Sequence, residues 1–358
     1  MVAKIAKFLA LARKLIPRTT TLSILKHVCF QDGNMMVTDL ENTIIMNIGI
    51  KEKFTIPYTL LSKIMAQKPK TVEFDVDGND IILGYDEKVL KFESLDANEF
   101  PVLPKMEEKE IDSWDTSLIK LIHSQRIYVS IDELKKALCG VYVNSNGSLE
   151  TCATNGHILR VVKIISPRDS DYEMIIPPKT LEILSQAARQ DITVYECENH
   201  LRFELSSDLN LVSRKITADY PNYKNVIPKD CPDLVEFNHK DFLRIVKSSK
   251  PFINKKTNLI EVNVKDGQLT ILANNPKEKI SWTGHIPVKT ITGDGQCRFG
   301  FDALYLEKLL GNMDSGKMIT WSHNGSESAS LFSGDSLDDE NKINLLMPIR
   351  LDERKDDE

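Results

Sequence analysis

An α+β architecture made from three copies of one unit is the fold class this sequence predicts, and two recurrences predict it. The first is a Gly-led pair of strand-like runs around a polar turn. It appears as GNMMVTDLENTIIMNI (33–48), GSLETCATNGHILRVVKI (147–164) and GQLTILANNPKEKISWTGHI (267–286). The turns fall at Asp39, at Asn155-Gly156 and at Asn274-Asn275-Pro276, the residue types that reverse a β-hairpin. The second recurrence is a strand end running into an amphipathic helix, in TIPYTLLSKIMAQ (55–67), IIPPKTLEILSQAA (175–188) and FGFDALYLEKLLGNM (299–313). Further strand-like runs follow each helix. The helix starts near 58, 178 and 302 lie about 120 residues apart, so three units account for the chain of 358 residues.

Another helix precedes each hairpin, at 3–16, at IDELKKAL (131–138) and at 239–249. On the last of these, at 100° per residue, Lys240, Arg244 and Lys247 share an arc of about 60° opposite an apolar face. Lys4, Lys7, Lys14 and Arg18 form a stripe beside the apolar face of the first, and Lys135 and Lys136 repeat the theme more weakly. A charged helix face is ordinarily just solvated. Cations recurring on equivalent helices of an acidic chain, with net charge −6, point instead to a segregated basic face suited to phosphates. That net charge excludes a uniformly basic nucleic-acid binder.

Composition is that of an ordinary soluble chain, 41% hydrophobic and 27% charged, with no apolar run near the roughly 18 residues of a membrane span. The six cysteines lack CxxC or Cys/His spacing, so free thiols, no metal site and a cytoplasmic setting are expected. The basic N-terminus resembles a targeting peptide in charge, but its apolar core is short and Arg13 and Lys14 interrupt it, so it reads as a mature helix. His157, presented just after Asn155-Gly156, is the one residue with the look of a catalytic group. No HExxH, GxSxG or glycine-rich phosphate loop accompanies it, and the two sister turns carry no His, so no catalytic residue and no enzyme activity is expected.

The ordered stretches TTTLSILKHV (19–28), GNMMVTDLE, TIPYTLLSKI, ANEFPVLP (97–104), CATNGHIL (152–159), ADYPNYKNVIP (218–228), LTILANNP (269–276) and NLLMPIRL (344–351) carry a resemblance over nearly the whole chain. The chain resembles a divergent member of the bacterial DNA polymerase III β subunit, or β sliding clamp, family. That resemblance implies the DNA clamp fold: three domains, antiparallel β-sheets outside and helices lining a central hole. It implies a head-to-tail homodimer ring around double-stranded DNA, without sequence preference and without a cofactor. Such a ring is a processivity factor, tethering DNA polymerase, the clamp loader and repair proteins through short apolar peptides. A ring that slides cannot read base edges and needs only diffuse positive charge.

Carried over position by position, the peptide groove uses Thr154, Gly156, His157, Ile158, Leu159, Pro221, Val226, Leu345, Met347, Ile349 and Arg350. Ile158 stands where the family often carries a basic residue, which implies a more apolar pocket. The expected DNA-facing set is Lys4, Lys7, Lys14, Arg18, Lys135, Lys136, Arg244 and Lys247, and the expected dimer interface sets Ile64, Leu90 and Phe92 against Phe252 and Ile253. The family's opening strand is expected to be missing. Domains are expected at 1–110, 126–232 and 233–351, with 111–125 an inserted linker and 352–358 an acidic tail. The alternative to a ring is a repeat-built interaction scaffold that never encircles DNA.

Overall fold

The fold, taken from a computed structural model, is described for residues 1–101, 103, 107–167, 170–293, 295–313, 318–334 and 341–351. The acidic run 335–340 and the tail 352–358 lie outside these residues. The first repeat is α1 (Val2–Ala12), β1 (His27–Gln31), β2 (Asn34–Thr38), β3 (Asn42–Asn47), β4 (Phe54–Pro57), α2 (Tyr58–Ala66), β5 (Val72–Asp77), β6 (Asp80–Tyr85) and β7 (Lys88–Glu93). The second is β8 (Lys109–Trp114), α3 (Thr116–Ser124), β9 (Val141–Ser145), β10 (Leu149–Thr154), β11 (Ile158–Ile164), β12 (Tyr172–Ile176), α4 (Pro178–Ala187), β13 (Ile192–Glu196), β14 (His200–Ser206) and β15 (Leu209–Arg214). The third is β16 (Asp233–Asn238), α5 (His239–Ser249), β17 (Leu259–Lys265), β18 (Gln268–Asn275), β19 (Ile280–Pro287), β20 (Lys289–Thr292), β21 (Cys297–Asp302), α6 (Ala303–Asn312), β22 (Met318–His323), β23 (Ser330–Gly334) and β24 (Lys342–Leu346).

All three expected hairpins form, as the antiparallel pairs β2–β3, β10–β11 and β18–β19. Two of the turns use one device. Asp39 Oδ1 accepts the amides of Glu41 and Asn42 at 3.1 and 2.6 Å, and Asn155 Oδ1 accepts those of His157 and Ile158 at 2.9 and 3.0 Å. A carboxylate or carboxamide oxygen here satisfies amides that the reversal frees. The residue after it sits at positive φ in both turns, Leu40 at 77° and Gly156 at 92°. A Cβ at Gly156 would meet nothing within 4 Å, so glycine is there for its backbone freedom and not for space.

The chain divides into two compact units, Met1–His123 with Asp169–Thr217, and Ser124–Arg168 with Ala218–Glu358. The boundaries cut through the middle repeat, whose halves enter different sheets. In the first unit the sheet order is β4-β1-β2-β3-β15-β14-β13-β8, beside a separate β5-β6-β7 sheet. In the second, β9-β10-β11-β24-β23-β22-β16-β20 run in order, beside a β19-β18-β17-β21 sheet. Hydrogen-bonded seams between β3 and β15 and between β11 and β24 therefore join half of one repeat to half of the next.

The helices bury one face each. Ile5, Phe8, Leu9 and Ala12 of α1 are buried, as are Phe242, Ile245 and Val246 of α5, which packs over β18 and β19. Asn238 Oδ1 caps α5 by accepting the amides of Lys240 and Asp241.

Two expectations about the middle repeat need correcting. The stretch 111–125 is no inserted linker: it contains the end of β8 and all of α3, which begins where Asp115 Oδ1 accepts the Leu118 amide at 2.6 Å. Ile111, Trp114, Leu118, Ile119 and Ile122 are buried. Conversely, IDELKKAL does not form the expected α-helix. Glu133–Cys139 is a 3-10 segment with non-helical backbone at Lys135, and it buries no residue. A helix this short is not stable without a face to bury, and Ile131 and Leu134 are almost wholly exposed. The strand-then-helix that opens the middle repeat, matching β16 and α5 in the third, is thus β8 and α3.

Candidate functional site

The expected groove residues all belong to the second unit, and Leu159 and Leu345 lie on one sheet face. Cys152, Leu159, Val161, Tyr223, Ala329 and Leu345 form a buried cluster, with Tyr142, Tyr220, Ile227, Leu331 and Ile343 packed against it. The segment after β15 covers this face through its tyrosines. Tyr142 and Tyr220 stack at 4.6 Å, and Tyr223 meets both edge-on at 6.4 and 6.1 Å. The Tyr223 hydroxyl donates to Glu150, which also pairs with Lys224 at 3.0 Å. Burial pushes the hydroxyls of Tyr220 and Tyr223 well above the usual tyrosine range and the Cys152 thiol up to about 12. These groups are protonated, apolar-facing furniture of a dry floor.

Around that floor the remaining residues differ in availability. Val226 is 54% exposed and Met347 36%, both large apolar side chains open to a partner. Pro221 is exposed, Ile349 half-buried and Arg350 exposed beside Glu327 at 3.4 Å. Thr154 is buried, its hydroxyl donating to the Ile158 carbonyl at 2.7 Å and accepting the Gly156 amide at 3.1 Å. The Met347 amide donates to the His157 carbonyl at 2.8 Å, tying the C-terminal segment to the turn. Further on, Ile349 bridges Gly300, where a Cβ would stand 2.5 Å from the Ile349 carbonyl oxygen. Only glycine permits that approach.

Ile158 is a correction. It is fully buried, and strand alternation turns it to the face opposite Leu159, so it cannot make the pocket more apolar. His157 is exposed, and its ring stacks on Tyr305 of α6 at 5.4 Å and 15°. The Lys308 ammonium lies 5.7 Å from the Tyr305 ring centre. Sequence reasoning missed Tyr305. The only signal for it was an aromatic on the polar side of α6, three residues past the Asp302 cap.

The expected cations differ in their placement and exposure. Lys7, Arg18, Lys240 and Lys247 are exposed. Arg244 is exposed beside Asp241 at 3.0 Å. Lys4 is engaged by Asp208 at 2.8 Å and the Asn47 carbonyl at 3.1 Å, and Lys14 lies beyond α1 in an ion pair with Glu182. Lys135 and Lys136 are exposed but sit on the 3-10 segment, away from any α-helix. On α3 the exposed cation is Lys120, which sequence reasoning passed over. The six cysteines are free thiols. No helix among the described residues is long and apolar enough to cross a membrane.

Among the expected interface residues, Ile64 and Ile253 are already buried within their own chain. Leu90, Phe92 and Phe252 are half-buried, and Phe252 stacks on Trp282 at 6.1 Å and 9°.

Three half-repeated α+β units, stitched by strand seams, make up the fold that this chain shares with solved DNA sliding clamps. The DNA polymerase III beta subunit central-domain model matches residues 114–222, beginning at the end of β8 rather than at 126. The beta sliding clamp of Bacillus subtilis is 26% identical over 299 residues, 81% of this chain and 78% of that protein. That of Pseudomonas aeruginosa is 23% identical over 363 residues, 96% of this chain and 97% of its own. The crystal structure of the P. aeruginosa DNA polymerase III subunit beta superposes with a TM-score of 0.88 at 22% identity, covering 98% of each chain. A P. aeruginosa clamp bound to griselimycin superposes with a TM-score of 0.84 at 22% identity, also covering 98% of each chain. The chain is similar to DNA polymerase III beta subunits, the beta sliding clamps, over nearly its whole length.

Proposed function

We propose that this chain is a DNA sliding clamp, a non-catalytic processivity factor that closes as a two-chain ring around duplex DNA and holds a polymerase through the groove of its second unit. The observation that carries the reading is the seam between half-repeats. It is made twice inside the chain, and β7 and β19 are each an outer strand of their sheet, as are β5 and β21. Two chains have two such pairs of edges, and head-to-tail pairing closes them into a ring without further parts. Retention then comes from topology, so the protein needs only weak, sequence-indifferent contacts to phosphates.

Lys7, Lys120, Lys240, Arg244 and Lys247 supply those contacts in this reading, with Lys4 and Arg18 beside them. Lys120 takes the part first given to Lys135 and Lys136. The groove takes a short peptide with apolar anchors. Leu159 and Leu345 make its floor, Val226, Met347, Ile349 and Pro221 its apolar rim, and His157 on Tyr305 one wall. Met adapts to anchors of different shape, which suits a site shared by polymerase, clamp loader and repair proteins.

The decisive experiment is topological. The purified protein is loaded by a clamp loader onto nicked circular DNA, and the DNA is then cut once. A ring slides off the linear ends within minutes, and blocking the ends retains it. A scaffold bound to the DNA surface stays on open-ended linear DNA, and that result sinks the proposal.

A further inference from the structure

The strand that supplies the groove floor carries a buried cation behind it. Leu159 lies on the floor, so alternation along β11 turns Arg160 to the opposite face, where it is 5% exposed. Its partner among the described residues is no carboxylate: Nη1 donates to the carbonyl of Asn312, the last residue of α6. The final carbonyls of a helix lack partners inside it and carry partial negative charge, so a cation seated there is held without an acid. Fully buried Tyr128 stands beside the same guanidinium. Burial raises its hydroxyl above the usual tyrosine range, and the Arg160 charge works against that rise. The Asn312 carboxamide in turn donates to the Ser124 carbonyl at 3.1 Å.

The other end of α6 meets the turn that leads into β11, where the His157 ring stacks on Tyr305 at 5.4 Å. Tyr305 and Asn312 are seven residues apart on the helix, about 10 Å at 1.5 Å per residue. His157 and Arg160 are three residues apart on the strand side, also about 10 Å. The spacings match, so α6 is fastened to one short stretch of chain at two points. A ring stack between side chains open to solvent holds a helix loosely, whereas a charge-assisted bond at its C-terminus holds it firmly. Exchanging a buried charge for an apolar side chain is often neutral for stability or better, so a guanidinium here calls for a role besides stability.

We propose that Arg160 is a positioning residue for the peptide groove: by holding the C-terminus of α6 it sets where Tyr305 stands, and so orients the His157 wall. The proposal rests on the groove reading and deepens it, since Arg160 lies behind the floor and touches no peptide.

The test uses the full chain and a short fluorescein-labelled peptide bearing Leu and Phe anchors. Anisotropy titrations compare the parent with R160M, R160K, Y305A and the R160M/Y305A double variant. R160M is expected to bind about fivefold more weakly, with a melting temperature within about 3 °C of the parent. R160K keeps the charge and a donor for the helix end, and is expected to regain most of that affinity. The double variant is expected to bind no more weakly than Y305A alone, because both changes break one chain of contacts. In the parent, saturating peptide is expected to slow amide exchange in the last turn of α6, a readout that needs no variant to fold. The positioning role is overturned by R160M binding like the parent, by losses that add in the double variant, or by last-turn exchange that peptide leaves unchanged. A parent that does not bind the peptide overturns the groove reading instead.

Discussion

His157 and Tyr305 show what one residue's surroundings decide. A histidine at a turn suits catalysis, metal binding or stacking, and sequence reasoning could set aside the first only by the lack of partner motifs. The structure supplies the partner, an aromatic ring from a helix nearly 150 residues on. In the proposed groove, His157→Ala and Tyr305→Ala should each weaken a fluorescent clamp-binding peptide by about tenfold in anisotropy titrations, leaving the dimer intact. Equal affinities for parent and variants would make the stack a mere turn support. Ile158 teaches the converse. Its place beside His157 in sequence suggested the same wall, but alternation along β11 sends neighbours to opposite faces. The buried thiols give a second test. Cys29 and Cys152 are pushed up to about 12 by burial, against an ordinary thiol near 8.5. A group with a raised folded pKa stabilises fully below its unfolded value and loses that contribution as pH rises toward the folded one. Thermal stability should therefore fall between roughly pH 8.5 and 12, and Cys152→Ala should flatten part of that fall in calorimetry.

At the scale of elements, periodicity made the hairpins and the second-half helices legible. Glycine, an Asx-type turn and an amphipathic run leave few alternatives. The middle repeat is hard to read because IDELKKAL has helical composition, whereas α3 is announced only by the Asp115 cap and four apolar residues. What separates them is burial, which no local pattern reports. Ile119 is 1% exposed and Leu134 94%. Ile119→Ala should cost about 2–4 kcal/mol in urea unfolding, while Leu134→Ala should change stability by no more than about 0.5 kcal/mol. Comparable losses at both positions would contradict the assignment. The same correction moves the phosphate contact of this repeat. Lys120→Ala should lower the slope of log affinity for duplex DNA against log salt by about one, and Lys135→Ala should leave it unchanged.

At the scale of the whole molecule, the three-fold repetition was legible, but the way the repeats are joined was not. Pairing β3 with β15 needs residues that no local signal relates, and only backbone edges seeking partners explain it. That arrangement also governs how the chain is made. The sheet of the first unit cannot close until residues near 214 have been synthesised, because β15 is its middle partner. At about 5–20 residues per second, β3 waits some tens of seconds with its edge open, although its hairpin was finished long before. The second unit waits similarly, since β11 needs β24 near the C-terminus. Nascent chains of this design spend most of their synthesis with adhesive strand edges unguarded. A stall or truncation after residue 110 or 232, places where a bead-like domain would be complete, leaves a half-sheet for a chaperone to shield.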